Sequence, residues 1–404
     1  MITPQAKTKQ RFSSIDALRG LVMVVMCLDH TREYFGDLRL NPEDLATTTP
    51  SLFYTRWVTH FCAPTFVFLA GVSAWMYGRS KTRSELSVFL LTRGLWLLVL
   101  EFTIIHFAWF HAFGTYPFMF IVIAAIGASM VAMAALVFLP VRAVAATGLG
   151  IVLFHNVLDP IVPEDFGAFS NLWIFLHEGG HIKQLFLNVG YPVLPWIGVM
   201  ACGYSFGMLL HVHRPLRINA CLSAGLCCVI IFVLLRSLNL YGDAARWTVQ
   251  KNTYFSVMSF LSTTKYPPSL LYLTMTLGPA LIVLAGLERT EQRKERTDSN
   301  SKFTESAIWM RPLIVFGRVP LFFYVAHLYL IHCGSRLLYL VVRGKPISPL
   351  QTAFNGFEQH QEIYGFDLWV VYVAWSVMLA LLLPLCWWYG RLKARGTSRI
   401  WSYL

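Results

Sequence analysis

Strongly apolar runs alternate with short polar joints along the whole chain, and most runs reach the length of about 20 residues that a helix needs to cross a bilayer. They are Ile15–Phe35, Trp57–Tyr77, Phe89–Phe110, Phe118–Leu139, Ala143–Val157, Val193–His211, Ala220–Leu238, Ser269–Leu287, Leu313–Ile331 and Trp369–Tyr389. The fifth run is short and imperfect. The pattern predicts an all-α fold: a polytopic integral membrane helical bundle with about ten transmembrane helices.

The joints set the orientation. Lys7, Lys9 and Arg11 precede the first run; Arg79, Lys81 and Arg83 follow the second; Arg142 lies after the fourth; Arg214 and Arg217 follow the sixth. Arg289, Arg293, Lys294 and Arg296 follow the eighth run, and Arg391, Lys393, Arg395 and Arg399 follow the tenth. If the helices alternate in direction, all of these lie on one side, so both the N and C termini are expected to be cytoplasmic. Arg343 and Lys345 are the main exceptions. No internal repeat is evident, and the expected organisation is one membrane-embedded domain over residues 1–404. The only hydrophilic stretch is Glu291–Lys302, so 296–302 belongs to a hydrophilic cytoplasmic loop.

Composition sharpens this picture. Hydrophobic residues make up 56% of the 404 residues and charged ones 13%, about half the charged share of a soluble domain, leaving no room for a large soluble domain. The net charge of +12 sits in the cytoplasmic joints, which argues against a nucleic-acid partner and for a membrane-lipid one. The cysteines Cys27, Cys62, Cys202, Cys221, Cys227, Cys228, Cys333 and Cys386 fall nearly all inside apolar runs and form no Cys-x-x-Cys pair, so buried free thiols are expected. The first run carries Asp16 and Arg19 and no cleavage site follows it, so it reads as a retained helix. No Asn-x-Ser/Thr sequon occurs, which leans toward a multi-pass protein of a bacterial inner (plasma) membrane.

The candidate chemistry lies in ionisable residues inside the runs, where a charge costs about 2.5–3.5 kcal/mol on insertion scales and therefore faces protein or water. Arg19 and His30 are eleven residues apart, about three helical turns, and share a face of the first helix. Beside His30 stand Asp29 and Arg32. His60, His106, His327 and Lys265 fall near the outer level; Arg93, Arg311 and Arg318 fall in the inner half, with Glu101 near the middle of the third run. Taken singly, each has a bland reading: an interfacial imidazole, a snorkelling arginine, or a Glu101 that pairs with a basic neighbour. The combination of basic groups inside and imidazoles outside favours function. His177-Glu178-Gly179-Gly180-His181 matches a zinc-protease pattern, but that site needs both imidazoles on one helical turn and two glycines oppose a helix there, so no metal is implied. The joints Tyr191–Trp196, Tyr266–Pro268 and Gly317–Pro320 mark helix ends or kinks, either bordering a cavity or within a packed bundle.

Ser14-Ile-Asp-Ala-Leu-Arg-Gly20, Asp29-His30-Thr31-Arg32 and Ala63-Pro-Thr-Phe-Val-Phe-Leu-Ala-Gly71 resemble the opening of the heparan-α-glucosaminide N-acetyltransferase family, more closely its bacterial membrane relatives. Tyr191-Pro192, Pro195-Trp-Ile-Gly198, Lys265-Tyr-Pro-Pro-Ser-Leu270 and Gly317-Arg-Val-Pro-Leu-Phe-Phe-Tyr324 extend the resemblance over nearly the whole chain. It implies transfer of an acetyl group from cytoplasmic acetyl-CoA, the acyl donor, to an amine or hydroxyl of a sugar or glycan acceptor on the outer side. His30 falls where the animal member has an Asn, and the Tyr54–His60 segment lacks the family's Trp-Asn-Gly. The expected catalytic residues are His30 helped by Asp29, or alternatively His60, as general base. Arg19, Arg93 and Arg318 would bind the CoA phosphates, and His106, Lys265 and His327 the acceptor. Direct attack and an acyl-His intermediate both remain open, as does a homodimer. The alternatives are a transporter or flippase built on the same polar cavity, and a scaffold without chemistry.

Overall fold

The computed structural model describes residues 12–297, 308–344, 346 and 365–395. Lys7, Lys9, Arg11, Lys345, Arg399 and residues 298–302 of the hydrophilic loop lie outside the described residues. Among the described residues, eight helices are long and apolar enough to cross a membrane.

Helix α1, Ser13–Phe35, is not among the eight, because Asp16, Arg19, Asp29, Arg32 and Glu33 interrupt it. It carries them because it is the hub of the bundle. Ala17, Met23, Cys27 and Tyr34 are completely buried, and α1 packs on α2 (Pro50–Thr59), α3 (Cys62–Gly78), α12 (Leu270–Thr297), α13 (Arg311–Arg318), α14 (Pro320–Arg343) and α15 (Leu368–Ala394). A charge on such a helix meets protein partners rather than lipid. The helix ends at Gly36, whose N–H bonds Arg32 O at 2.8 Å.

The run expected as one span over Trp57–Tyr77 lies within the candidate span Pro50–Gly78, which has a turn at His60 and Phe61 between α2 and α3. Pro64, in the first turn of α3, has no N–H to give to His60 O, and the Tyr272 hydroxyl takes that carbonyl instead at 2.9 Å. The ninth expected span, Leu313–Ile331, is corrected to Pro320–Arg343. Pro320 disfavours a helical Val319, which sits at φ −132°, so α13 stops at Arg318 and the crossing helix is Pro320–Arg343. Arg343 thereby ends α14 at the face away from Arg318.

α13 meets α1 backbone to backbone. A Cβ on Gly20 would lie 1.8 Å from Leu313 O, and one on Gly317 1.8 Å from Asp16 O; only glycine permits that approach, the close packing by which membrane helices associate. Around this centre α4 (Arg83–Leu100) pairs with α6 (Val122–Leu136), α7 (Val141–Phe154) with α9 (Val193–Phe206), and α10 (Arg214–Leu238) with α12.

Two elements depart from a purely helical expectation. A π-turn at Glu101–Ile105 joins α4 to α5 (His106–Phe110), and Glu101 Oε2 accepts the Ala124 N–H at 2.8 Å; the carboxylate caps the start of α6 rather than pairing with a basic residue. The run expected to begin a helix at Phe118 begins as a strand. β1 (Phe118–Phe120) lies parallel to β3 (Leu187–Val189), which is antiparallel to β2 (Gly180–Ile182). Gly190 and Tyr191 N–H both bond Phe120 O, at 3.1 and 3.2 Å. This small sheet ties Ile121 and Val122 to Gly190 and Tyr191.

Candidate active site

Two cavities lie end to end inside the bundle. The first, about 400 Å³, is lined by Arg19, Ser73, Arg93 and apolar side chains of α1, α3, α4 and α6. The second, about 300 Å³, is lined by Asp29, His30, Glu33, Trp109, Lys265 and Tyr266, and by the residues the small sheet ties together. Val122 and Tyr324 line both and form the partition. Both volumes fall in or near the range of roughly 300–1,000 Å³ typical of small-molecule sites.

His30 is the centre of the second cavity. His327 Nδ1 lies 3.0 Å from Phe323 O and so carries its proton there. Its Nε2 is then an acceptor, and His30 Nδ1–H donates to it at 2.6 Å. This chain leaves the lone pair of His30 on Nε2, the orientation a general base needs. Trp109 packs edge-on against the His30 ring, centroids 4.9 Å apart, and Tyr324 does so at 6.1 Å. His327 is itself fully buried with both nitrogens engaged, so it positions His30.

Asp29 faces away from the imidazole into a charged chain. Arg56 Nη1 donates to Asp29 Oδ2 at 2.6 Å, and Arg32 Nη2 to Oδ1 at 3.3 Å. Arg56 Nε reaches Glu43 Oε1 at 3.0 Å, and His60 Nε2 donates to the same oxygen at 2.8 Å. Burial pushes the Glu43 carboxyl up, but the His60 hydrogen bond and the Arg56 charge outweigh it and hold it down at about 2. Paired buried charges of this kind keep one another ionised and fix the α2 entry against α1.

Lys265 is buried on the cavity wall and bridges to Pro268 through its backbone; its Nζ lies 5.0 Å from the Tyr266 ring centroid and makes no hydrogen bond or ion pair among the described residues. Its loop is anchored from behind. Asp243 accepts Thr264 N–H at 2.9 Å and the hydroxyls of Thr264 and Ser269 at 2.7 Å each. Buried Arg236 donates to Phe260 O, Ala245 O, Ser259 O and Ser262 O. Five N–H donors in a planar fork suit an arginine to hold several carbonyls at once.

In the first cavity, Arg19 donates to Asp16 and Gly317 O at 3.1 Å each and to Ser73 at 3.0 Å. Arg93 lines the same space. Arg318 Nε is 3.9 Å from Asp16 Oδ2 and half-exposed, beside the cavity rather than on its wall.

Of the residues the sequence singles out, the structure brings Asp29, His30 and Lys265 to one cavity wall, sets His327 behind His30, and brings Arg19 and Arg93 to the other cavity. His60 is one step removed, reaching the site through Glu43 and Arg56. His106 lies apart in an aromatic nest of Phe110, Phe113 and Phe118. His177 and His181 stand on different elements, with His177 Nε2 3.1 Å from Asp159 and positive φ at Gly179 and Gly180 between them. Sequence reading missed Glu33, Glu43, Arg56, Trp109 and Tyr324. Helical spacing held part of the signal: Glu33 is three residues after His30 and Tyr324 three before His327, each on the face of the singled-out residue.

A family model described as heparan-alpha-glucosaminide N-acetyltransferase, catalytic, matches residues 11–242, more than half of the chain. No curated protein matches the chain. The matched stretch holds α1, α3, α4, Trp109 and the small sheet, and hence most of both cavities. The chain belongs to the heparan-α-glucosaminide N-acetyltransferase family and is a multi-pass membrane acetyltransferase.

Proposed function

We propose that the protein spans the membrane ten times, α1 and α6 included, with both termini cytoplasmic, and moves an acetyl group from cytoplasmic acetyl-CoA to an amine or hydroxyl of a sugar or glycan on the outer side of a bacterial inner membrane. The observation that carries this reading is the partition: two cavities, one with arginines toward the basic joints and one with a base-ready imidazole, meeting at Tyr324 and Val122. Arg93 and Arg19, with Arg318 at the entrance, attract the phosphates of CoA, and the pantetheine arm follows the apolar wall to the partition. His30 Nε2 takes the proton of the attacking amine or hydroxyl as that group bonds to the thioester carbonyl carbon. The C–S bond then breaks and the thiolate leaves as CoA, taking up a proton. Asp29, held by Arg56 and Arg32, favours the imidazolium that forms, and Lys265 and Glu33 offer a donor and an acceptor to the sugar.

The test is purified protein in sealed proteoliposomes with labelled acetyl-CoA on one side and amino-sugars on the other. Acetylated sugar on the side opposite the donor, lost in His30→Gln, supports the reading. Unmodified sugar crossing without acetylation would instead establish the transporter.

A further inference from the structure

Two polar atoms beside His30 have no partner in the folded protein but each other. Trp109 Nε1 and the Tyr324 hydroxyl are both buried, and apart from one another neither has a hydrogen-bond partner. Both side chains line the second cavity, Tyr324 lines the first as well, and the two rings flank the imidazole. The phenol O–H is left without an acceptor at a depth where that costs about 1–3 kcal/mol, and two donors gathered at one place point to a group that arrives later.

We infer that Trp109 Nε1–H and Tyr324 Oη–H together receive the carbonyl oxygen of the acetyl thioester at the partition between the two cavities, and are catalytic residues of the transfer. The inference rests on the acetyl-transfer reading above and adds the groups that reading leaves out. When the acceptor nitrogen or oxygen bonds to the carbonyl carbon, the C=O electron pair moves onto oxygen and the acceptor's proton goes to His30 Nε2. Two fixed, buried donors stabilise that oxyanion with no reorganisation. When the carbonyl re-forms, the C–S bond breaks, and the thiolate takes the proton back from His30 to leave as the thiol. Both donors are neutral, so they bind the ground-state carbonyl weakly and the developing oxyanion strongly, the difference that raises kcat rather than affinity. Neither Lys265 nor Arg56 can substitute, since Arg56 is spent on Asp29 and Glu43 and Lys265 belongs to the acceptor wall.

Trp109→Phe and Tyr324→Phe remove one donor each and keep a ring in the slot. Each is expected to lower kcat by roughly 10²-fold while acetyl-CoA affinity, measured by equilibrium binding, stays within about twofold. A second readout does not depend on the acceptor: the infrared carbonyl band of bound ¹³C-acetyl-CoA should shift to lower frequency in the wild type and return toward its free position in the double variant. Wild-type kcat in both single variants, or a band that the double variant leaves unchanged, overturns the inference while the acetyl-transfer reading stands. A wild type that binds acetyl-CoA with a shifted band but acetylates no acceptor keeps the carbonyl site and sinks the acceptor half of that reading. A wild type that binds no acetyl-CoA sinks both.

Discussion

His327 Nε2 lies 2.6 Å from His30 Nδ1, although the two residues are 297 positions apart. The bond is directional, because the Phe323 carbonyl claims the one N–H of His327, on Nδ1, and leaves Nε2 to accept. His30 is thereby held in the single tautomer that exposes a basic Nε2 to the cavity.

Replacing His30 by Gln should therefore lower acetyl transfer by about 10²–10⁴-fold, the usual contribution of a general base, with unchanged melting temperature in detergent. His327→Phe should produce a smaller loss, since the imidazole stays but its ring is no longer held. Equal losses in kcat for both variants would show that His327 exchanges protons itself.

Glu43 gives a pH dependence with a definite sign. Its folded value of about 2 lies below the ordinary 4.5, so its pairing with His60 and Arg56 stabilises the fold above about 4.5 and is lost as pH falls toward 2. Melting temperature measured from pH 6 down to pH 2 should drop over that window, and Glu43→Gln should flatten the drop. An identical acid profile in the variant would remove Glu43 from the α1–α2 clasp.

Gly20→Ala should be severe, destabilising by about 3 kcal/mol or more or preventing accumulation, because its Cβ would enter the Leu313 carbonyl. Gly150, also helical, has nothing within 4 Å of its would-be Cβ. There alanine should be neutral or stabilising by about 0.5–1 kcal/mol. Melting temperatures of the two variants side by side separate close approach from helix propensity.

Arg93→Gln should weaken acetyl-CoA binding by about 10- to 100-fold, as expected for one lost charge-assisted contact of roughly 1.5–3 kcal/mol, and leave the KM for the acceptor unchanged. A rise in acceptor KM with intact donor affinity would reverse the assignment of the two cavities.

Much of this arrangement is legible in the sequence, and the exceptions have physical reasons. The eleven-residue spacing of Arg19 and His30 places one group at each cavity because α1 is a straight helix read by its period. The break at Val319 is written in Pro320, yet hydropathy runs smoothly across it, so the span boundary shifts by a turn or more. β1, β2 and β3 are three residues each, too short for alternation to register. Glu43 and His60 meet only because a loop with no periodicity folds back onto α2. Trp109 reads as an ordinary interfacial aromatic until its N–H is seen beside His30 with only the Tyr324 hydroxyl for a partner.

The His30–His327 bond also orders events in time. His30, Trp109 and both cavity arginines are made early, within the stretch that the family model covers, while Lys265, Tyr324 and His327 come more than twenty residues after it. A ribosome that has made the chain through α10 has therefore delivered a base with an unfixed ring and a partition with a missing wall. Competence arrives only when α14 slides in beside α1, so a nascent chain holds no finished site with which to acetylate anything prematurely.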